Sequence, residues 1–337
     1  MPISPSVRPL SGVDYPSTFL EFQDWFSTDE KCLDYLARLR WPNGFVCPRC
    51  AATTSWRTTD GLWMCTACSR RTSVTAGTIF DRTRTPMRTW FAAIWFVTAQ
   101  KNGVSALGLQ RVLGFKFYET AWVWMHKLRR AMVVPERDLL TGTVEVDETF
   151  VGGISRGNVG RSSDKVPVMV AAESLGKNRI GRIGLEPTPE GRLTLVNFTQ
   201  RVVAPGAMIK ADGARELRRL SALGFEHQYF TQLGSTVPAH IDLPAVHRVA
   251  SLLKRWMIGT MHYGASREQF GFYLDEFTFR FNRRTSKSRG LLFYRLMQQA
   301  VITGPHPIKS LVIPRDDSAA CDVTPTPDPA PTGGLVP

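Results

Sequence analysis

The sequence contains no apolar run of 18 or more residues, the length a membrane-spanning helix needs. Its nearest stretch, Trp90–Val97, makes only about two helical turns. Met1-Pro2-Ile3-Ser4-Pro5 offers neither a basic segment nor an apolar one, so a secretory leader is not expected and a cytosolic location is. Acidic residues are scarce: 29 Asp and Glu stand against 42 Lys and Arg, a net charge of +13 over 337 residues. That balance favours a polyanionic partner, nucleic acid first and an anionic membrane second. The membrane is disfavoured because no basic amphipathic helix stands beside a hydrophobic anchor. With 43% apolar and 21% charged residues, the chain is expected to bury the cores of two or three domains.

Cysteine is scarce too, and four of the six are patterned. Cys47-Pro-Arg-Cys50 is followed, after fourteen intervening residues, by Cys65-Thr-Ala-Cys68. Two CxxC knuckles at this spacing present four thiolates, the donor set of a tetrahedral structural zinc site. Disulfides or a redox CxxC are the alternatives, and the absence of a secretion signal weighs against them. Thr53–Met64 between the knuckles is polar and β-prone, with Asp60-Gly61 as a hairpin turn, as a zinc ribbon requires. Arg70 and Arg71 flank the second knuckle, placed for phosphate contact or simply on a solvated edge. Cys32 and Cys321 read as plain thiols.

Along the chain, residues 1–20 read as a loose arm and 21–84 as a short helix (Phe22–Leu39, with Ser27 or Thr28 as a cap) plus the ribbon. Residues 85–135 turn helical. Trp90, Phe91, Ile94, Trp95 and Val97 mark a buried face, and Asn102-Gly103 breaks the helix. Ser105–Leu113 and Tyr118–Met132 then form a helix pair joined at Gly114-Phe115. The second helix ends in His126-Lys127-Leu128-Arg129-Arg130, so the pair fits a DNA-reading helix-turn-helix, with a plain helical connector as the alternative. Residues 140–304 follow the order β-β-β-α-β-α-β-α of an RNase H-like α/β domain: strands at Thr143–Phe150, Val166–Ala172, Arg179–Leu185, Ala207–Ala211 and Glu226–Phe230, with helices at Leu193–Val203, Ala214–Leu220, Ala245–Ile258 and Arg267–Arg283. A Gly-, Ser- and Arg-rich loop separates the first two strands. The Pro-rich tail at 314–337 is expected to be disordered.

In the first strand, Glu145 and Asp147 share one face, and Val144, Val146 and Glu148 the other. Asp147 and Asp212 fall at or near the carboxyl ends of two strands, where paired carboxylates can converge on Mg²⁺ or Mn²⁺. Two such ions can activate a water or a 3′-hydroxyl and stabilise the leaving oxygen of a phosphodiester. Thirty-four intervening residues beyond Asp212 lies His247, with Lys254 two helical turns later on the same face. An imidazole can ligate a metal or position a water, and the lysine can meet a phosphate as a point charge. Glu276, sixty-three intervening residues beyond Asp212, is the rival third acid; its simpler reading is an ion pair with Arg280 at i,i+4. Glu145 and Glu148 read as supporting or surface groups.

Taken in order, the two CxxC knuckles, Val146-Asp-Glu-Thr-Phe-Val-Gly-Gly153, Lys210-Ala-Asp-Gly213, His247-Arg248 with Leu253-Lys254-Arg255-Trp256, and Tyr273–Arg284 resemble the IS1595-type (ISXO2-like) insertion-sequence transposases from about Phe22 to Val301. The resemblance implies a DDE-type transposase with an RNase H-like catalytic domain and two divalent ions. Its catalytic set, carried over, is Asp147, Asp212, His247 and Lys254, the histidine departing from the commonest acidic triad. Double-stranded DNA is the implied partner, and holding two element ends together calls for a dimer or larger assembly. Phosphate contacts are expected from Arg70, Arg71, Lys127, Arg129, Arg130, Arg248, Arg255, Arg280, Arg283 and Arg284. The competing reading is a non-catalytic DNA-binding regulator or an inactivated relic on the same scaffold.

Overall fold

The computed structural model describes residues 8–133, 139–152, 165–176, 179–188, 194–212, 215–230, 239–261 and 266–312. The expectations for the tail at 314–337, for most of the Gly-rich loop after Val151 and for Cys321 lie outside the described residues.

Two helices, α1 (Phe19–Trp25) and α2 (Asp29–Arg40), open the chain. A single helix was expected here. Thr28 explains the break, because its hydroxyl accepts from the Lys31 N–H and so starts a second helix. The ribbon follows as β1 (Ser55–Arg57), β2 (Trp63–Cys65) and β3 (Arg71–Thr72), antiparallel in that order. Then come α3 (Met87–Ala99), α4 (Ala106–Leu113) and α5 (Tyr118–Ala131). Ser105 caps α4 at its start, and Gly114 closes it in the left-handed region at φ 68°, where a side chain would be strained.

The five-stranded sheet comprises β4 (Thr143–Val151), β5 (Val166–Ser174), β6 (Ile180–Pro187), β7 (Met208–Asp212) and β8 (Glu226–Phe230). Its order is β6-β5-β4-β7-β8, with β4, β5 and β6 antiparallel and β4, β7 and β8 parallel. Between β6 and β7 runs α6 (Leu195–Val202), and a 3₁₀ segment at Arg215–Leu223 stands where a short α-helix was expected. After β8 come α7 (Ala239–Asp242), α8 (Pro244–Met261), α9 (Phe270–Asn282), α10 (Arg289–Ile302) and α11 (Ile308–Val312). Val144, Val146, Ala171 and Ile209 pack one sheet face against Phe198 of α6 and Leu217 and Leu220. Val151, Val168, Val170 and Ile183 pack the other against Val249 and Leu253 of α8 and Leu274 of α9. The expected succession of five strands along the chain and the facing of β4 both hold.

The domain boundaries shift in two places. α10 belongs to the helical core, where Phe293, Leu296 and Met297 join Phe22, Phe26, Leu36, Phe91 and Ile94. The sheet domain therefore closes at α9 rather than near residue 304. The N-terminal arm is also not loose over the described residues. Tyr15 is buried, the Tyr35 hydroxyl donates to the Asp14 carbonyl at 2.8 Å, and a Cβ on Gly290 would collide with the Pro16 carbonyl oxygen. Only glycine lets α10 meet the arm so closely.

Within α5, His126 is fully buried against the Trp122, Phe272 and Tyr273 rings, and neither ring nitrogen has a hydrogen-bond partner. Burial, seconded by Arg129, pushes its pKa down to about 2. The unfolded chain takes up this proton near pH 6.5 and the folded chain does not. Stability is therefore intact above that pH and falls by about 1.4 kcal/mol per unit below it. His126→Leu is expected to be neutral or stabilising at pH 7.5 and to remove that share of the acid slope. Urea midpoints at pH 7.5 and 5.5 read the difference, and an unchanged slope in the variant refutes the assignment.

Candidate metal centres and nucleic-acid interface

The ribbon brings its four cysteines together from two turns. Their Sγ atoms lie within 4.8 Å of one another, with Cys47–Cys68 and Cys50–Cys65 each at 3.6 Å. A zinc–thiolate bond of about 2.3 Å sets tetrahedral sulfur–sulfur edges of about 3.8 Å. A disulfide needs about 2.05 Å, so the spacing fits a metal and excludes a bridge. Trp41, Phe45 and Trp63 pack on the buried side of the knuckles. Cys32 stands apart in the helical core, where burial raises its thiol to about 12, consistent with an inert thiol.

The second cluster sits on the sheet. Thr143, Val144 and Glu145 of β4 pair with Met208, Ile209 and Lys210 of β7. The same offset puts Asp147 level with Asp212 just beyond the last pair. Asp147 is thus in mid-strand rather than at a strand end, but it stands where β4 and β7 part. From β4 the chain builds outward to β5 and β6 on one side and to β7 and β8 on the other. Such a switch point, at the carboxyl ends of parallel strands, is where α/β sheets open a crevice for ligands.

Above this crevice lies α8, which packs across β4 and β5 and carries His247. The His247 Nε2 is buried without a hydrogen-bond partner. Burial raises the pKa of the Asp147 carboxyl; Asp212 and Glu148 add to that, while the Glu148 N–H, at 2.8 Å, and His247 oppose it. Asp147, Asp212 and His247 therefore share one electrostatic environment. Among the described residues, the four cysteines are the one group of three or more such side chains gathered closely enough to hold a metal ion. Carboxylate oxygens are donors that hard divalent ions take, and an imidazole nitrogen is a softer one. Lys254 is half-buried on α8, its pKa lowered by burial and then by Lys165, so two cations stand near each other there.

Comparison with known proteins matches both domains. Residues 139–282 match the ISXO2-like transposase domain, and residues 27–71 match the transposase zinc-ribbon domain. The chain belongs to the IS1595-type insertion-sequence transposases. It is also 25% identical over 279 residues to the "Uncharacterized protein in transposable element ISH50" of Halobacterium salinarum, covering 76% of this chain and 91% of that one. The matched domain ends at residue 282, where α9 ends and the sheet domain closes. No helix among the transposase's described residues is long and apolar enough to cross a membrane.

The transposase's domains imply DNA as its partner, and the structure sorts the expected phosphate contacts. Arg70, Arg248 and Arg255 are exposed, as is Arg71, which ion-pairs with Asp60. Lys127 and Arg130 are half-buried, the latter over the Phe272 ring. Arg129 is buried, with Nε 2.8 Å from Glu276 Oε2 and its guanidinium over Tyr273, so it does not reach phosphate. Arg280 is spent on Glu276 and on the Val97 and Gln100 carbonyls. Arg284 donates to the carbonyls of Gly181, Ile180 and Phe281 and lies over the Phe281 ring, and Arg283 lies over Phe279. Arg280 is thus an internal clamp rather than part of the expected DNA track, whereas Arg283 is half-buried and Arg284 stays exposed. Nor does α5 lie free for a groove: Ala121, Trp124, Met125, Leu128 and Arg129 are buried, and exposure concentrates at Lys116, Phe117, Tyr118 and Glu119.

Glu276 is resolved as well. It is fully buried between two guanidiniums, which makes the ion-pair reading right and the third-acid reading wrong. Glu145 was undervalued. It is buried, and its Oε2 accepts from the Ala245 and Val246 N–H groups at 2.6 and 3.1 Å. A sequence signal existed: Leu243-Pro244 opens a helix with no side-chain cap of its own.

Proposed function

We propose that this transposase binds the terminal repeats of its element and, with divalent metal ions, cleaves phosphodiester bonds and joins the freed 3′ ends to target DNA. The observation that carries the reading is the pair Asp147 and Asp212, level with each other where β4 and β7 part, beneath the unpartnered His247 nitrogen. Asp147 and Asp212 would hold the ions with His247, and Mg²⁺ or Mn²⁺ so bound supplies an activated oxygen nucleophile and a stabilised leaving oxygen. Lys254, with Lys165 beside it, holds positive charge for a phosphate of the bound strand. Exposed Arg70, Arg71, Arg248 and Arg255, with the Lys116–Glu119 turn, offer the surface for DNA. Two ends must be brought together for transfer, so the working form is a dimer or larger assembly on cytosolic DNA.

The histidine in the third position favours one other reading, a DNA-binding protein that has lost catalysis. Both are tested by nicking and strand transfer on a fragment carrying the element's end, in Mg²⁺ and in Mn²⁺. Wild type is expected to cut and join. Asp147→Asn, Asp212→Asn and His247→Ala are expected to fall to background while still binding the fragment. Wild-type binding with no cleavage under either metal would decide for the non-catalytic reading.

A further inference from the structure

α8 begins at Pro244, which has no N–H to satisfy, but the next two N–H groups need an acceptor. These are the donors a cap side chain normally serves, and Leu243 just before the helix has no side-chain acceptor to give. Glu145, from the middle of the sheet, serves them instead. Its carboxylate is 1% exposed and closes on the Ala245 and Val246 N–H groups at 2.6 and 3.1 Å. A negative charge at that end also complements the helix dipole.

The placement ties three residues of the site to one another. Asp147 is two residues beyond Glu145 on the same strand face. His247 is two residues beyond Ala245, and its own N–H makes the first intrahelical bond, to the Leu243 carbonyl at 3.2 Å. The carboxylate that fixes the first turn of α8 therefore grows from the strand that bears Asp147. Without it, the turn has only side-chain packing to hold its rotation, and a rotation by one residue swings His247 through about 100°.

We propose that Glu145 is a positioning residue, which locks the first turn of α8 to β4 so that His247 stands over Asp147 and Asp212. This rests on the reading of those three residues as the metal-facing set. Outer groups that orient metal ligands typically govern about 10–100-fold in metal affinity or activity.

The test uses the full chain and Mn²⁺ alone, with free Mn²⁺ read by electron paramagnetic resonance and α8 amide protection read by hydrogen exchange. Glu145→Ala is expected to weaken Mn²⁺ binding about tenfold or more and to expose the Ala245 and Val246 amides, with affinity for element-end DNA unchanged. Glu145→Gln, which keeps an acceptor of the same reach, is expected to restore most of the affinity. Glu145→Asp keeps the charge but draws it back by one methylene, so it should fall between and provides a folded comparison if the alanine variant does not fold. Wild-type Mn²⁺ affinity in the folded Asp or Ala variant overturns the proposal. Absence of Mn²⁺ binding by wild type, or its persistence in Asp147→Asn, overturns the reading of the metal site instead.

Discussion

Glu276→Ala is expected to cost about 3–5 kcal/mol of stability, because it strips a fully buried counter-charge from two guanidiniums. Arg129 approaches one carboxylate oxygen at 2.8 Å, and Arg280 grips the other at 2.9 and 2.7 Å. Burial alone would raise the Glu276 pKa, but Arg280 and then Arg129 overturn this and hold it below the usual carboxylate range. Its contribution is therefore present above pH 4–5, roughly the unfolded value, and is lost as pH falls through the folded one. The triad also fastens separate parts of the protein: Arg129 is on α5, Glu276 and Arg280 are on α9, and Arg280 reaches the carbonyls at the end of α3. Any loss of DNA cleavage in this variant is expected to track loss of fold. Thermal melts beside those of His247→Ala separate the two cases: the glutamate variant melts much earlier, and the histidine variant melts near wild type but does not cut. An unchanged melting point for Glu276→Ala would mean that the clamp carries little of the stability.

The second large effect is loss of the ribbon metal. Structural zinc contributes about 10–16 kcal/mol of apparent binding energy in small zinc-finger peptides. The ribbon has little else, with strands of three, three and two residues and a core of Trp41, Phe45 and Trp63 beside the knuckles. Chelation, or Cys65→Ser with Cys68→Ser, is expected to release about one equivalent of zinc and to unfold residues 41–72, while α3 and the five-stranded sheet stay protected from hydrogen exchange. DNA binding should weaken with it. Full zinc content in the double variant would rule out the four-cysteine site.

What was legible in the sequence was what local pattern encodes. The two CxxC knuckles lie within 22 residues, Cys47 to Cys68, and need no partner elsewhere to be read. Strand alternation placed Val144 and Val146 on one face and Glu145 and Asp147 on the other, which decides where a carboxylate can point. Partners across long separations were not legible. Arg129 and Glu276 are 147 positions apart, and a charge at a helix end reads as surface because buried charges are uncommon unless paired. For the same reason Arg280 looked like part of a DNA track. Periodicity showed that Tyr118–Met132 is a helix but not what covers it; α9, α10 and α11 do. The split at Thr28 was missed because a cap inside a continuous apolar pattern marks a start without announcing the preceding stop.

The helical core is assembled from both ends of the chain, and that sets an order on its making. On the ribosome, α1 to α5 emerge well before Phe293 and Met297 of α10, which fill the space beside Phe22, Phe26 and Phe91. At about 5–20 residues per second, the intervening sheet domain takes on the order of ten seconds or more to synthesise. Through that interval the nascent chain presents an open aromatic surface, while the sheet behind it can already close on its own two cores. A late helix, α10, thus completes the first module, so a chain cut short after α9 keeps Asp147 and Asp212 on a formed sheet but leaves the N-terminal aromatic surface for chaperones to cover.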